Sequence, residues 1–180
     1  MHKVLDFIKK NKQFSFFLLL VILLALITIF APVIAPQDPY VSDLKNALQP
    51  PSSAHWFGTD KLGRDIFSRV IYASRSSLPA TLILVALIFV IGTLLGTLAG
   101  YFGGWIDAVI MRISDMMISF PGMVLAIAVA GIMGASVKNA VIAVAVVSWP
   151  KYARLARSLV MKIRHEDYIY AAIVTGSKTS

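Results

Sequence analysis

The chain has 180 residues, 58% of them hydrophobic and 14% charged, with a formal net charge of +8 and a mean hydropathy of +0.77. A soluble domain carries about 25% charged residues, so the composition argues against a soluble fold. It reads the basic surplus as Lys and Arg flanking membrane spans rather than as a nucleic-acid surface. There is no cysteine, which removes disulfides, thiolate chemistry and cysteine-based metal sites.

Phe14 to Ile34 contains no charged residue, and a helical run of about 20 apolar residues crosses a ~30 Å hydrocarbon core. Lys3, Lys9, Lys10 and Lys12 precede it, and no Lys or Arg follows until Lys45. The N-terminus is therefore expected in the cytoplasm and Ala35 outside. The run is long for the apolar core of a signal peptide, and Pro36 after Ala35 makes a poor cleavage context, so it reads as an uncleaved anchor. Pro36 to Ser77 reads as a polar outer loop, broken by Pro36, Pro39, Pro50 and Pro51. It holds the sharpest polar cluster of the chain, His55-Trp56-Phe57-Gly58-Thr59-Asp60-Lys61-Leu62-Gly63-Arg64-Asp65.

Leu78 to Phe102 is the second expected span, uncharged throughout, with Gly92, Gly96 and Gly100 on one helix face. Small residues at this spacing let two helix backbones approach closely. Gly103 and Gly104 make a turn, Trp105 sits where an interfacial aromatic would, and Arg112 and Asp115 are spaced to pair on an amphipathic stretch with Asp107. Met116 to Met133 is the third expected span, kinked at Pro121. After a short turn over Gly134 to Asn139, the fourth starts at Ala140 and runs through Pro150 to about Ile163. Its second half carries Lys151, Arg154 and Arg157. These side chains either snorkel to the headgroups or, at Arg154 and Arg157, line a pathway or meet a partner's acids. From Lys162 the chain turns charged and is expected in the cytoplasm. Tyr168 to Gly176 reads as a short amphipathic helix ended by glycine.

Chemistry of its own is hard to find. Gly176-Ser177-Lys178-Thr179 resembles the end of a phosphate-binding loop, but Ser177 stands where the second glycine belongs. His2, His55 and His165 are widely separated and lack metalloprotease spacing. No span interior holds a lone Asp or Glu of the kind a proton-coupled pump uses. No catalytic residue, cofactor or metal site is expected, and a transporter built this way must borrow its energy. The fold class read here is an all-α integral membrane protein, a polytopic helix bundle with four spans present. It is divided into 1–77 (tail, first span and outer loop) and 78–180 (bundle core).

The cluster from His55 to Asp65, extended by Ser68-Arg69, is similar to a long mixed motif of the dipeptide/oligopeptide/nickel group of ABC importer permeases. Gly100 to Asp107, Met111-Arg112, Asp115, Phe120-Pro121 and Tyr152-Ala153-Arg154-Leu155-Ala156-Arg157 also match that group's pattern. The resemblance runs from about Ala31 to Gly176 and implies a type I ABC importer permease of six spans. It implies that Tyr170-Ala171-Ala172, Gly176 and the flanking Tyr168 form the first half of the loop that docks on an ATPase. Tyr170 stands where the group has glutamate, and the chain stops at Ser180 before the loop's second half, as a truncated chain would. The resemblance further implies an inner-membrane subunit working with a second homologous permease, two cytoplasmic ATP-binding subunits and an extracytoplasmic solute-binding protein. The cargo would be short peptides or nickel. His55, Trp56, Gly58, Thr59, Asp60, Gly63, Arg64 and Asp65 would form its extracytoplasmic motif. His55 taken alone is a poor nickel ligand beside the hard carboxylates of Asp60 and Asp65, and the alternative is that the cluster folds the loop against a partner. Two other functions stay open: a non-transporting membrane anchor, or a passive channel, which the lack of a polar stripe in the first three spans disfavours.

Overall fold

In the computed structural model the described residues are 11–169 and Thr175. Among them the structure is helical, and the only sheet-like pairing is an isolated antiparallel bridge between Thr59 and Asp65. In chain order the helices are α1 (Lys12–Ile29), α2 (Ala31–Ile34), a 3-10 turn (Leu44–Asn46), α3 (Ile66–Phe102), α4 (Gly104–Ser119), α5 (Gly122–Met133) and α6 (Val137–Arg164). The chain separates into two compact units, Met1–Pro79 and Ala80–Ser180. Their boundary falls at Pro79 inside α3, where the missing N–H removes one helical hydrogen bond.

In the first unit α1 buries none of its residues. A helix that is apolar all round and unpacked by protein belongs in lipid. The apolar run expected to Ile34 is interrupted at Phe30. Pro32 follows within the first two positions of α2, a place a proline favours because its missing donor would be unpaired there anyway. The helix expected from Leu78 starts earlier, at Ile66. Asp65 accepts from the backbone N–H of Ser68 at 2.7 Å, so it caps the helix and draws Ile66 to Ser77 out of the loop. With 37 residues, α3 is about 55 Å long, well beyond a hydrocarbon core.

The second unit is organised around α6. Its buried residues are Ala143, Ala145, Val147, Trp149, Pro150 and Ala153, mostly small. A Cβ added at Gly92 would lie 2.5 Å from Tyr152 Cβ, at Gly96 2.2 Å from the Ala153 carbonyl oxygen, and at Gly100 2.9 Å from that of Arg157. The partners climb α6 as the glycines climb α3, so the two helices run parallel and in register, touching at backbone distance. Asn139, in the first turn of α6, donates from Nδ2 to the carbonyls of Met133 at 2.6 Å and Gly134 at 3.0 Å. It thereby closes the α5–α6 turn on the orphan end of α5.

The third expected span is corrected. Met116 to Met133 is not one kinked helix: α4 and α5 meet at a bend of 94°. Pro121 disfavours helical geometry in the residue before it, and Phe120 is extended at φ −91°, ψ 145°. The span count is corrected with it. Among the described residues two helices, α1 and α3, are long and apolar enough to cross a membrane, or three if the bent α4–α5 pair is one span. The fourth expected span, α6, has 28 residues, about 42 Å. It is long enough but carries Lys151, Arg154, Arg157, Lys162 and Arg164 in its second half.

Gly96→Ala is expected to destabilise the protein by about 1–3 kcal/mol, the usual cost of overpacking, because the obstruction is the backbone of α6. Gly131→Ala, where an added Cβ meets nothing within 4 Å, should be neutral or slightly stabilising. Thermal unfolding of the two variants in detergent checks the contrast.

Candidate functional site

The polar cluster of the first unit is a loop folded on two carboxylates. Asp60 Oδ1 accepts from the N–H of Leu62 at 2.8 Å and of Arg64 at 3.0 Å. Its Oδ2 accepts from Arg64 Nε at 2.9 Å and from the guanidinium of Arg69. One acid thus closes its own turn and holds two cations. Asp65, almost fully buried, caps α3 with one oxygen and meets Nδ1 of buried His55 at 3.1 Å with the other. Ser68 Oγ accepts from the N–H of Gln37 at 3.2 Å, which ties the chain after α2 to the start of α3.

Backbone pairing completes the loop. Thr59 N–H donates to the Gln49 carbonyl at 3.0 Å, and Leu48 N–H to that of Asp60 at 3.1 Å. Thr59 Oγ1 accepts from Gln49 N–H at 2.8 Å and donates to the Asn46 carbonyl. Gly63 sits at φ +73°, and a Cβ there would fall 1.7 Å from the Asp43 carbonyl oxygen. Both the left-handed backbone and the lack of space require glycine. Gly58, at φ +72° against the Gln49 carbonyl, is fixed in the same way. Trp56 and Phe57 stay exposed and pack on Phe67, at centroid distances of 4.8 and 5.2 Å.

The carboxylates respond electrostatically as this wiring requires. Hydrogen bonding to the Arg64 guanidinium holds Asp60 well below the usual carboxylate range, against the opposing effect of desolvation. For Asp65 burial pushes the carboxyl up, but the Ser68 N–H and hydroxyl and the His55 ring together outweigh it and leave the group lowered.

In the second unit the charges of α6 face α4. Arg157 donates from Nε and Nη2 to the two oxygens of Asp107, a bidentate fork. Arg154 pairs with Asp115. Asp107, Ala108, Met111, Asp115, Arg154 and Arg157 line a cleft of about 400 Å³. Both arginines, expected either to snorkel or to line a pathway, meet acids of their own chain. The pairing expected of Asp115 with Arg112 is corrected, since Asp115 is taken by Arg154 across the cleft.

All eight residues of the motif expected outside lie in the one folded loop. Gly92, Gly96 and Gly100 face α6, and Arg154 and Arg157 face α4. Of the expected docking loop, Tyr168 is exposed, while Tyr170, Ala171, Ala172 and Gly176 lie outside the described residues. Sequence reasoning did not single out Asp107 as the partner of Arg157, 50 residues away, or Gln37 and Arg164. For such distant pairs only the coincidence of charged residues on two otherwise apolar helices offered a signal. Among the described residues no group of three or more His, Asp or Glu is placed to hold a metal ion.

Residues 92–180 match the family described as binding-protein-dependent transport system inner membrane component. Residues 2–51 match the N-terminal TM domain of oligopeptide transport permease C. The dipeptide transport system permease protein of Alkalihalophilus pseudofirmus is 45% identical over 95% of this chain and 56% of its own. The glutathione transport system permease protein of Pectobacterium atrosepticum is 46% identical over 88% of this chain and 53% of its own. The nickel transport system permease protein of Escherichia coli is 39% identical over 89% and 58%. The chain spans about half the length of the curated relatives it matches.

Lowered carboxyl groups stabilise the fold above their unfolded values and lose that effect only as pH falls through the lower folded values. With Trp105 and Trp149 replaced by Phe, Trp56 emission, which reports packing on Phe67, should therefore hold steady from pH 7 to about 5 and change only below about 4, the ordinary range of aspartate. Asp65→Ala removes the cap and strands His55 and the Ser68 N–H. It should cost about 1–3 kcal/mol, measured by thermal unfolding with Trp56 as reporter.

Proposed function

The chain belongs to the inner-membrane components of binding-protein-dependent transport systems, and from that premise we propose that it is a permease subunit of an ATP-driven importer. With a second, homologous permease it forms the translocation path for short peptides or nickel, the latter as a chelate. Two cytoplasmic ATP-binding subunits drive it, and an extracytoplasmic solute-binding protein delivers the cargo. The N-terminus and the segment after α6 face the cytoplasm, and the folded loop from Pro36 to Asp65 faces outside. Tyr168, Tyr170, Ala171, Ala172 and Gly176 dock on an ATPase, whose closure tilts the bundle and exchanges outward for inward access. Residues 1–77 serve as tail, anchor and outer loop, and 78–180 as the transport core.

The observation that carries this reading is the charged cleft between α4 and α6. Asp107, Asp115, Arg154 and Arg157 face one another across it. Ionisable groups on the helices of a membrane protein are retained where they pair or line a path. Two acids and two bases leave the cleft formally neutral, a lining suited to zwitterionic peptides or a neutral chelate.

The test is purification of the full-length gene product from native membranes in mild detergent, with mass spectrometry of what accompanies it. An ATP-binding subunit and a second permease should co-purify, and peptide or nickel recovered with the binding protein names the cargo. Recovery of the chain in a complex without any ATP-binding subunit would instead make it a membrane anchor.

A further inference from the structure

The parallel, in-register contact of α3 with α6 has a consequence at their ends. An α-helix leaves its last four carbonyls unpaired and carries partial negative charge there. Here two such ends lie side by side, at Phe102 and at Arg164. The guanidinium of Arg164 donates from Nη1 to the carbonyls of Gly100 at 3.1 Å and Tyr101 at 2.7 Å. Those carbonyls belong to the last turn of α3, and the donor to the last turn of α6. Two turns earlier on α6, Arg157 places its carbonyl against Gly100 while its side chain forks onto Asp107 in the first turn of α4. The end of α3, the start of α4 and the end of α6 are thus tied at three points. The chain leaves this knot directly into Glu166 and Asp167.

We infer that Arg164 is a positioning residue, a latch that makes the ends of α3 and α6 move as one body with the segment that follows. The second half of this inference, that the latch transmits the ATPase stroke, rests on the importer reading. Without it, a pull on the segment after His165 would fray the last turn of α6, where helix ends open most readily. With it, the same displacement reaches α3 through its carbonyls and α4 through Asp107. Lysine can replace the charge but not the planar fork, so it substitutes only in part.

The test uses the assembled full-length transporter. These 180 residues hold no cysteine, so once any cysteine elsewhere in the complex is replaced, spin labels at Phe102→Cys and Met161→Cys report on the two helix ends alone. The native protein should give one narrow distance, Arg164→Gln a broadened or longer one, and Arg164→Lys an intermediate one. Superimposable distributions for native protein and Arg164→Gln overturn the latch. If Arg164→Gln does not assemble, Arg164→Lys decides, and a native-like distribution overturns the latch in the same way. Cargo moved per ATP hydrolysed should fall about tenfold in Arg164→Gln, within the span of typical coupling energies, with partial recovery in Arg164→Lys. An unchanged ratio beside a broadened distance overturns transmission alone. Absence of ATP-driven uptake by the native complex defeats the importer reading, and the distance measurement still decides the latch.

Discussion

The second unit depends on one contact, the backbone-to-backbone approach of α3 and α6 along Gly92, Gly96 and Gly100. Lipid offers no hydrophobic gain for bringing two apolar helices together, so association must come from close packing and from polar contacts between helices. The glycines supply the first. With α6 set in register against α3, Arg154 and Arg157 fall opposite Asp115 and Asp107, and Arg164 reaches the carbonyls at the end of α3. A shift of one helical turn along α3 would carry all of these groups about 5.4 Å from their partners.

The first unit solves a different problem. A long loop rich in proline has few ways to satisfy its backbone, and unpaired polar groups are costly wherever water is excluded. Two aspartates take that task. Asp60 gathers the turn's N–H groups and two guanidiniums, and Asp65 joins the loop's histidine to the first turn of α3. The outcome is a shaped polar surface with Trp56 and Phe57 left exposed on it.

Much of this was legible in the chain itself. Uncharged runs gave the membrane class, and the spacing of Gly92, Gly96 and Gly100 gave a packing face, though not its partner. The motif from His55 to Asp65 gave the family, which the matches over residues 2–51 and 92–180 support. Boundaries were less legible. Ile66 to Ser77 read as loop because its Arg and Ser residues look polar, whereas the Asp65 cap makes it helix. Pro121 announced a kink, but the size of the bend depends on how α5 pairs with α6, which local sequence does not encode. The ion pairs across α4 and α6 were hidden for a similar reason. Arg112 is closer to Asp115 in sequence, but Arg154 wins because the α3–α6 register delivers it.

The proposed role is that of part of a path that moves cargo only when ATP is spent. The most direct measurement is accumulation of labelled dipeptide, and separately of nickel, by the full-length complex in sealed vesicles with its binding protein. ATP must be confined to the side on which α6 ends. Accumulation of one cargo above the outside concentration is expected, dependent on ATP and on the binding protein. Equilibration of cargo without ATP would identify a passive channel, and no movement of either cargo under any condition would contradict a transport role.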